Sequence, residues 1–185
     1  MESIVALKVK PSERVVRVCL DGTLVAEYQK VTAELDNKRK RKLVDNRLND
    51  PVVALERRQA ELWEKQEAET VSFHLRALPR HEWDKLKLDH PAREDDELDS
   101  QYGFNTSTIF DAALSRPGVI VEVTNAGGER EEFSHNDWLE FSKDLSSGQF
   151  TDFQVAINEL NGGQAEVPFS LPGYKKIQDS GANSK

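Results

Sequence analysis

Four histidines, one cysteine, a run of carboxylates, a Gly-Gly pair and scattered serines are the side chains of this chain best suited to chemistry. His74, His81, His90 and His135 form no HxxxH pair, and Cys19 has no CxxC partner, so their spacing assembles no zinc ligand set. His74 falls on the opposite side of a strand pattern from Phe73, which is a surface or rim position rather than that of a general base. Cys19 lies between Val18 and Leu20 in a strand-like run, the setting of a buried, inert thiol. Glu94, Asp95, Asp96, Glu97 and Asp99 carry charge enough for a hard cation. They lack the central glycine and terminal glutamate of a calcium loop, and read as a solvated acidic loop. Gly127-Gly128 is followed by no lysine, which excludes a Walker loop and a dinucleotide fingerprint. Ser115, Ser134 and Ser170 sit in no GxSxG-like context. No constellation supports catalysis, so the expectation is a non-enzymatic protein with no metal and no cofactor.

Two further groups point to binding. Lys38, Arg39, Lys40, Arg41 and Lys42 form a basic block suited to RNA or an acidic partner. Glu34, Asp36 and Asp45 balance it, no aromatics are interleaved, and the chain carries a formal charge of −8. A solvated segment with no nucleic-acid role is expected. The aromatics Trp83, Phe110, Trp138, Phe141, Phe150 and Phe153 all lie in the part of the chain after the arm, which reads as mostly helical. Core packing accounts for such residues. Some of Phe110, Trp138, Phe141, Phe150 and Phe153 are alternatively candidates to line a groove that receives an amphipathic helix.

The elements that would carry these residues follow from periodicity. With 37% hydrophobic and 31% charged residues, the chain reads as a modest core with a solvated helical arm and a flexible tail. Its first residues have no cationic start before an apolar run, so no secretory signal is expected, and no window nears the roughly 20 apolar residues of a membrane span. Residues 4–10 and 14–20 are strand-like, and Asp21-Gly22 predicts an antiparallel hairpin. Leu24, Tyr28, Val31 and Leu35 then follow a 4-3-4 spacing, and Leu48, Val52, Leu55, Gln59 and Leu62 repeat it. Asp50-Pro51 starts the second of these helices. Two narrow seams closing on each other predict an antiparallel helical hairpin.

Val71, Phe73, Leu75 and Ala77 alternate with polar residues as a half-buried strand. Pro79 opens a short helix carrying Trp83 and Leu86, which Pro91 ends. Asn105 or Thr106 is expected to cap a helix holding Ile109, Phe110, Ala113 and Leu114. Val119, Val121 and Val123 lead through Asn125 to Gly128 into a second hairpin that ends at Phe133. Ser134 and Asp137 resemble a capping box for a helix with Trp138, Leu139, Phe141 and Leu145, which Ser146, Ser147 and Gly148 break. A last helix carries Phe150, Phe153, Val155, Ile157 and Leu160 up to Gly162-Gly163. The fold class expected is α+β: small antiparallel β elements, a protruding helical hairpin and a mostly helical C-terminal half. It divides into an N-terminal β-hairpin region (1–26), the charged arm (27–69), a body (70–167) and a disordered tail (168–185).

The order of these elements, and the wording VSFHLRALPRHEWDKLKLDHP, YGFNTSTIFDAAL, LSSGQFTDF and AINELNGG, resembles tail assembly chaperones of long-tailed, siphovirus-type phages of actinobacteria. The likeness covers about residues 15–170 and is one of pattern. It implies a protein of the infected host's cytoplasm that binds the tape-measure protein, keeps it soluble while tail-tube subunits assemble, and is absent from the mature virion. Self-association and a longer frameshifted form are compatible with that role. The hairpin expected over residues 119–133 departs from it, since a shorter link between helices is implied there. The alternative from another class is a structural virion component, a minor tail or head–tail connector protein.

Overall fold

The computed structural model describes residues 9–42 and 50–162. The first strand, Glu13–Cys19 (β1), does not turn back at Asp21-Gly22 as the sequence predicts. Asp21 accepts hydrogen bonds at Oδ1 from the backbone N–H groups of Thr23 and Leu24, at 2.8 and 3.4 Å, and from the Thr23 hydroxyl at 2.6 Å. It is thus the N-cap of helix α1, Gly22–Lys42. A dipeptide that can form a tight turn forms a cap here, because the helical period begins at once after it. The partner of β1 is β2, Thr70–Arg76, on the far side of the arm, with Val16 opposite Phe73 and Cys19 opposite Thr70. β1 therefore belongs to the body, and residues 13–26 form a strand and the start of a helix rather than a hairpin. The predicted strand over residues 4–8 lies outside the described residues.

β3, Ile120–Thr124, adds to β2, and β4, Arg130–Glu131, adds to β3, so the antiparallel sheet has the order β1-β2-β3-β4. The β2–β3 register skips Val121, since His74 faces Glu122 while Leu75 faces Ile120. Asn125 to Gly128 closes the predicted second hairpin, and Gly128 takes a φ of +79° there, where a side chain would be strained. Side chains alternate across the sheet. Val16, Val18, Phe73, Leu75 and Val123 are buried on the helix-covered face. The other face is polar, with ion pairs Glu13–Arg76, Arg17–Glu67 and Glu122–Arg130.

α1 packs antiparallel on α2, Asp50–Ala68, and the two helices contact chiefly each other. The seam follows the heptad spacing over the described residues: Leu35, Val52 and Leu62 are buried, and Leu24, Tyr28, Val31, Leu55 and Gln59 are half-buried, while Leu48 lies outside them. Gln59 Nε2 donates to the Thr32 hydroxyl at 2.8 Å, and Arg39–Glu56 and Arg58–Glu27 bridge the flanks. The base is tied down by Leu20 N–H to Glu69 O at 2.9 Å and by Gln66 Nε2 to Leu24 O at 2.8 Å. The arm begins at Gly22, five residues before its expected start.

Five helices complete the body: α3 (Arg80–Asp89), α4 (Glu97–Tyr102), α5 (Ile109–Leu114), α6 (Trp138–Phe141) and α7 (Ser147–Gly162). The architecture is α+β with a helical C-terminal half. Several helix ends differ from expectation. α5 starts at Ile109, because Asn105 spends its side-chain oxygen on a turn to the Ser107 N–H. Asp137 does reach back to the Ser134 N–H at 2.7 Å, but the helix after it lasts one turn and passes into a 3₁₀ turn over Ser142–Asp144. Ser146, Ser147 and Gly148 do not merely break a helix. Ser146 and Gln149 exchange side-chain-to-backbone bonds at 3.3 and 2.9 Å, a reciprocal capping box that opens α7. The tail expected to be disordered from residue 168 lies outside the described residues.

Aromatic rings fill the space between sheet and helices. Phe73 meets Phe133, Phe141 and Phe153 with centroids 5.0–5.3 Å apart, and Trp138 meets Phe153 at 4.8 Å. A second group joins Trp83, Phe104 and Phe110 at 5.8 and 6.0 Å. Trp83 is 5% exposed, whereas Trp63 on the arm is 53% exposed. Trp83→Ala is expected to cost about 3–5 kcal/mol and Trp63→Ala under about 1 kcal/mol. Denaturant titration of the two variants checks the contrast, and equal losses would contradict this core assignment.

Candidate functional site

Residues 93–106, expected as a solvated loop and a cap, are organised around one buried carboxylate. Asp99 is 0% exposed. Its two oxygens accept from Arg93 Nε, Nη2 and backbone N–H at 2.7, 3.1 and 3.1 Å, and from the Thr106 hydroxyl and N–H at 2.6 and 2.9 Å. The Arg93 guanidinium first, and Thr106 after it, hold this carboxyl well below the usual carboxylate range. Every lone-pair direction is taken, so Asp99 is a structural clasp and not an acid or base. Asp96 caps α4 through the N–H groups of Leu98 and Asp99, and Gly103 ends it at a φ of +77°.

The clasp fixes α4 as a single turn and a half, on which Leu98 and Tyr102, four residues apart, face outward. They are 59% and 45% exposed. Val155 on α7, also exposed, stands across from them. Between α4 and α7 lies a groove of about 440 Å³ walled by Leu98, Tyr102, Thr151, Val155 and Asn158, with Phe110 as its floor. One carboxylate, Glu159, stands on the wall and is paired with Arg14. Arg93, which precedes α4, is paired with Asp96 and Asp99. The groove offers apolar contact that can hold an apolar side-chain row.

Of the five aromatic binding candidates, only Phe110 reaches this groove, and it is 5% exposed. Trp138 and Phe153 are wholly buried, and Trp138 Nε1 donates to Asp111 Oδ1 at 2.8 Å. These two are core residues with no surface to present. Phe141 and Phe150 are half-buried and pack against the core. Phe141 also lines a smaller pocket with Leu20, Val71 and Phe133 beside the arm's base. The exposed groove residues Leu98, Tyr102 and Val155 were not candidates in the sequence. Their signal was Asp96 as a cap followed by an apolar pair four residues apart.

The remaining reactive side chains stay apart. His74 lies on the open sheet face near Thr124, His90 Nδ1 is 2.8 Å from the Thr108 hydroxyl, His81 lies in α3 and His135 in the turn before α6. Cys19 is half-buried with Sγ 3.5 Å from Asp21 O. Among the described residues, no three histidine, cysteine or carboxylate side chains are placed to hold a metal ion, and no helix is long and apolar enough to cross a membrane. Comparison of the chain with protein-family models, with curated proteins and with solved structures gives no match.

The clasp generates a pH dependence. A carboxyl depressed in the folded state contributes stability that is fully present above its unfolded value near 3.9 and is lost as pH falls toward its folded value. The melting midpoint is therefore expected to fall below about pH 4. In Asp99→Asn the midpoint at neutral pH is expected to be lower, with a flatter decline in acid. Thermal melts followed by circular dichroism across this range check both, and an unchanged acid limb in Asp99→Asn would contradict the assignment.

Proposed function

We propose that this protein is a non-enzymatic assembly chaperone for a phage tail, and that it receives amphipathic helical segments of the tape-measure protein in the α4–α7 groove. The observation that carries the reading is the exposed set Leu98, Tyr102 and Val155 around a groove floored by Phe110, on a chain of net charge −8. The resemblance of element order and wording supplies the identity of the partner. A long heptad-rich tape measure exposes apolar stripes until the tube encloses it, and such stripes aggregate. A small acidic protein that covers the stripes with few contacts per copy keeps the complex soluble. The shallow groove suits weak binding, which lets tube subunits displace the chaperone as the tube grows. The net charge of −8 favours segments whose apolar row is flanked by Lys and Arg.

Co-expression tests the reading. A tape-measure helical fragment that precipitates alone is expected to become soluble with this protein. A Leu98→Glu, Val155→Glu variant with an unchanged melting midpoint is expected to lose most of that effect, whereas charge reversal at Lys38, Arg39 and Lys40 leaves it largely intact. If the fragment stays insoluble with the protein in excess, and purified virions contain the protein stoichiometrically, a structural virion role replaces this one.

A further inference from the structure

We infer that β1 is the seat of a two-fold contact between copies of this chain, formed by antiparallel pairing of β1 with β1 about Val15. β1 is the first strand in the sheet order and has β2 on one side only. The bonds Ala77 N–H to Ser12 O and Leu20 N–H to Glu69 O, with the register between them, set the phase of the ladder. Arg14, Val16 and Val18 direct their backbone groups to β2, so those of Glu13, Val15 and Arg17 point outward. Among the described residues, nothing bonds to these outward groups. The edge is closed only at its end, where Gln149 Nε2 donates to Cys19 O at 3.1 Å. An open row of backbone donors and acceptors is a template for another strand.

The side chains say which strand. Glu13, Val15 and Arg17 share the uncovered face of the sheet, and all three are exposed, Val15 by 47%. Their charges run negative, neutral, positive with Val15 at the centre. An antiparallel second copy with Val15 facing Val15 sets Glu13 against Arg17 and Arg17 against Glu13. Each of these three facing pairs exchanges both of its backbone bonds. Other arrangements are disfavoured. Parallel, in-register pairing sets like charges side by side, and antiparallel pairing centred on Glu13, Arg14 or Arg17 does so at the axis. Pairing centred on Val16 separates Glu13 from Arg17 and sets Glu13 against Cys19, whose carbonyl Gln149 already holds. The Val15-centred register alone matches Glu13 with Arg17 on both sides of the axis, as a self-complementary two-fold contact requires. The contact is short and edge-only, so it is reversible and depends on concentration. It is independent of the α4–α7 groove and of the chaperone reading.

Two measurements on the full-length chain test it. In a Cys19→Ser background, Val15→Cys is expected to give a covalent dimer under copper–phenanthroline oxidation, because facing Cα atoms in such a pair lie about 5.5 Å apart. Glu13→Cys is expected to give none, since the two positions are then offset by four residues, about 13 Å. In sedimentation equilibrium, Arg17→Glu is expected to weaken the dimer by roughly tenfold, and Glu13→Arg with Arg17→Glu to restore it. That rescue is not available to a mere folding defect, because the swap does not repair the pairs with Arg76 and Glu67 within the chain. A monomer at every concentration, cross-linking as ready at Glu13 as at Val15, or no recovery in the double swap would overturn the inference.

Discussion

The pairing of β1 with β2 is the constraint on which the rest of this molecule rests. These strands are neighbours in space but are separated in sequence by the whole helical arm. Closing so long a loop carries an entropic cost that rises slowly with length, and an arm that folds back on itself offsets much of it by returning its own ends to one place. The return is secured where strand and helix meet, by Leu20 with Glu69, by Gln66 with Leu24, and by the Thr70 hydroxyl with Gln66 O at 2.6 Å. Once β1 and β2 are side by side, α7 has a surface to cover, and β3 has an edge to join.

Above that sheet, the core is made chiefly of aromatic contacts. Phe73 on β2 is its hub, since it reaches rings from the β4–α6 connection, from α6 and from α7. The body uses most of its aromatics for cohesion. Leu98, Tyr102 and Val155 stand at the surface, and the short helix that carries the first two is held by the ion pair between the buried Asp99 and the exposed Arg93.

Much of this was legible in the sequence, and the parts that were not have physical reasons. The 4-3-4 seam of the arm, the alternation from Val71 to Leu75, the Asn125–Gly128 hairpin and the buried Trp83 follow from period and turn chemistry, and the structure has them. Asp21-Gly22 misled because cap and turn use the same residues, and only a strand partner far along the chain decides between them. The acidic run concealed α4 because its charges suggest solvation. One of them, Asp99, is buried by pairing with an arginine six residues earlier, and composition cannot display such a pairing. The aromatics could not be sorted into core and groove, since sequence reports residue type and not which side of a helix the sheet occupies. Ser146 and Gln149 form a capping box, but a glycine between them is as compatible in sequence with a helix break as with a helix start.

The amide of Gln59 sits on the seam of the arm, bonded to Thr32, in a row otherwise made of Leu, Val and Tyr. A polar residue in such a row fixes the alignment of two helices, because sliding one past the other leaves the amide without a partner in an apolar groove. In this chain the same slide would also draw Leu20 away from Glu69, where the helices join the sheet. The phase of the helix pair and the phase of the strand pair are thus a single degree of freedom, as in two gears on one shaft. A pull on the arm that respects this alignment moves the arm as a rod. One that does not must unzip the first two strands.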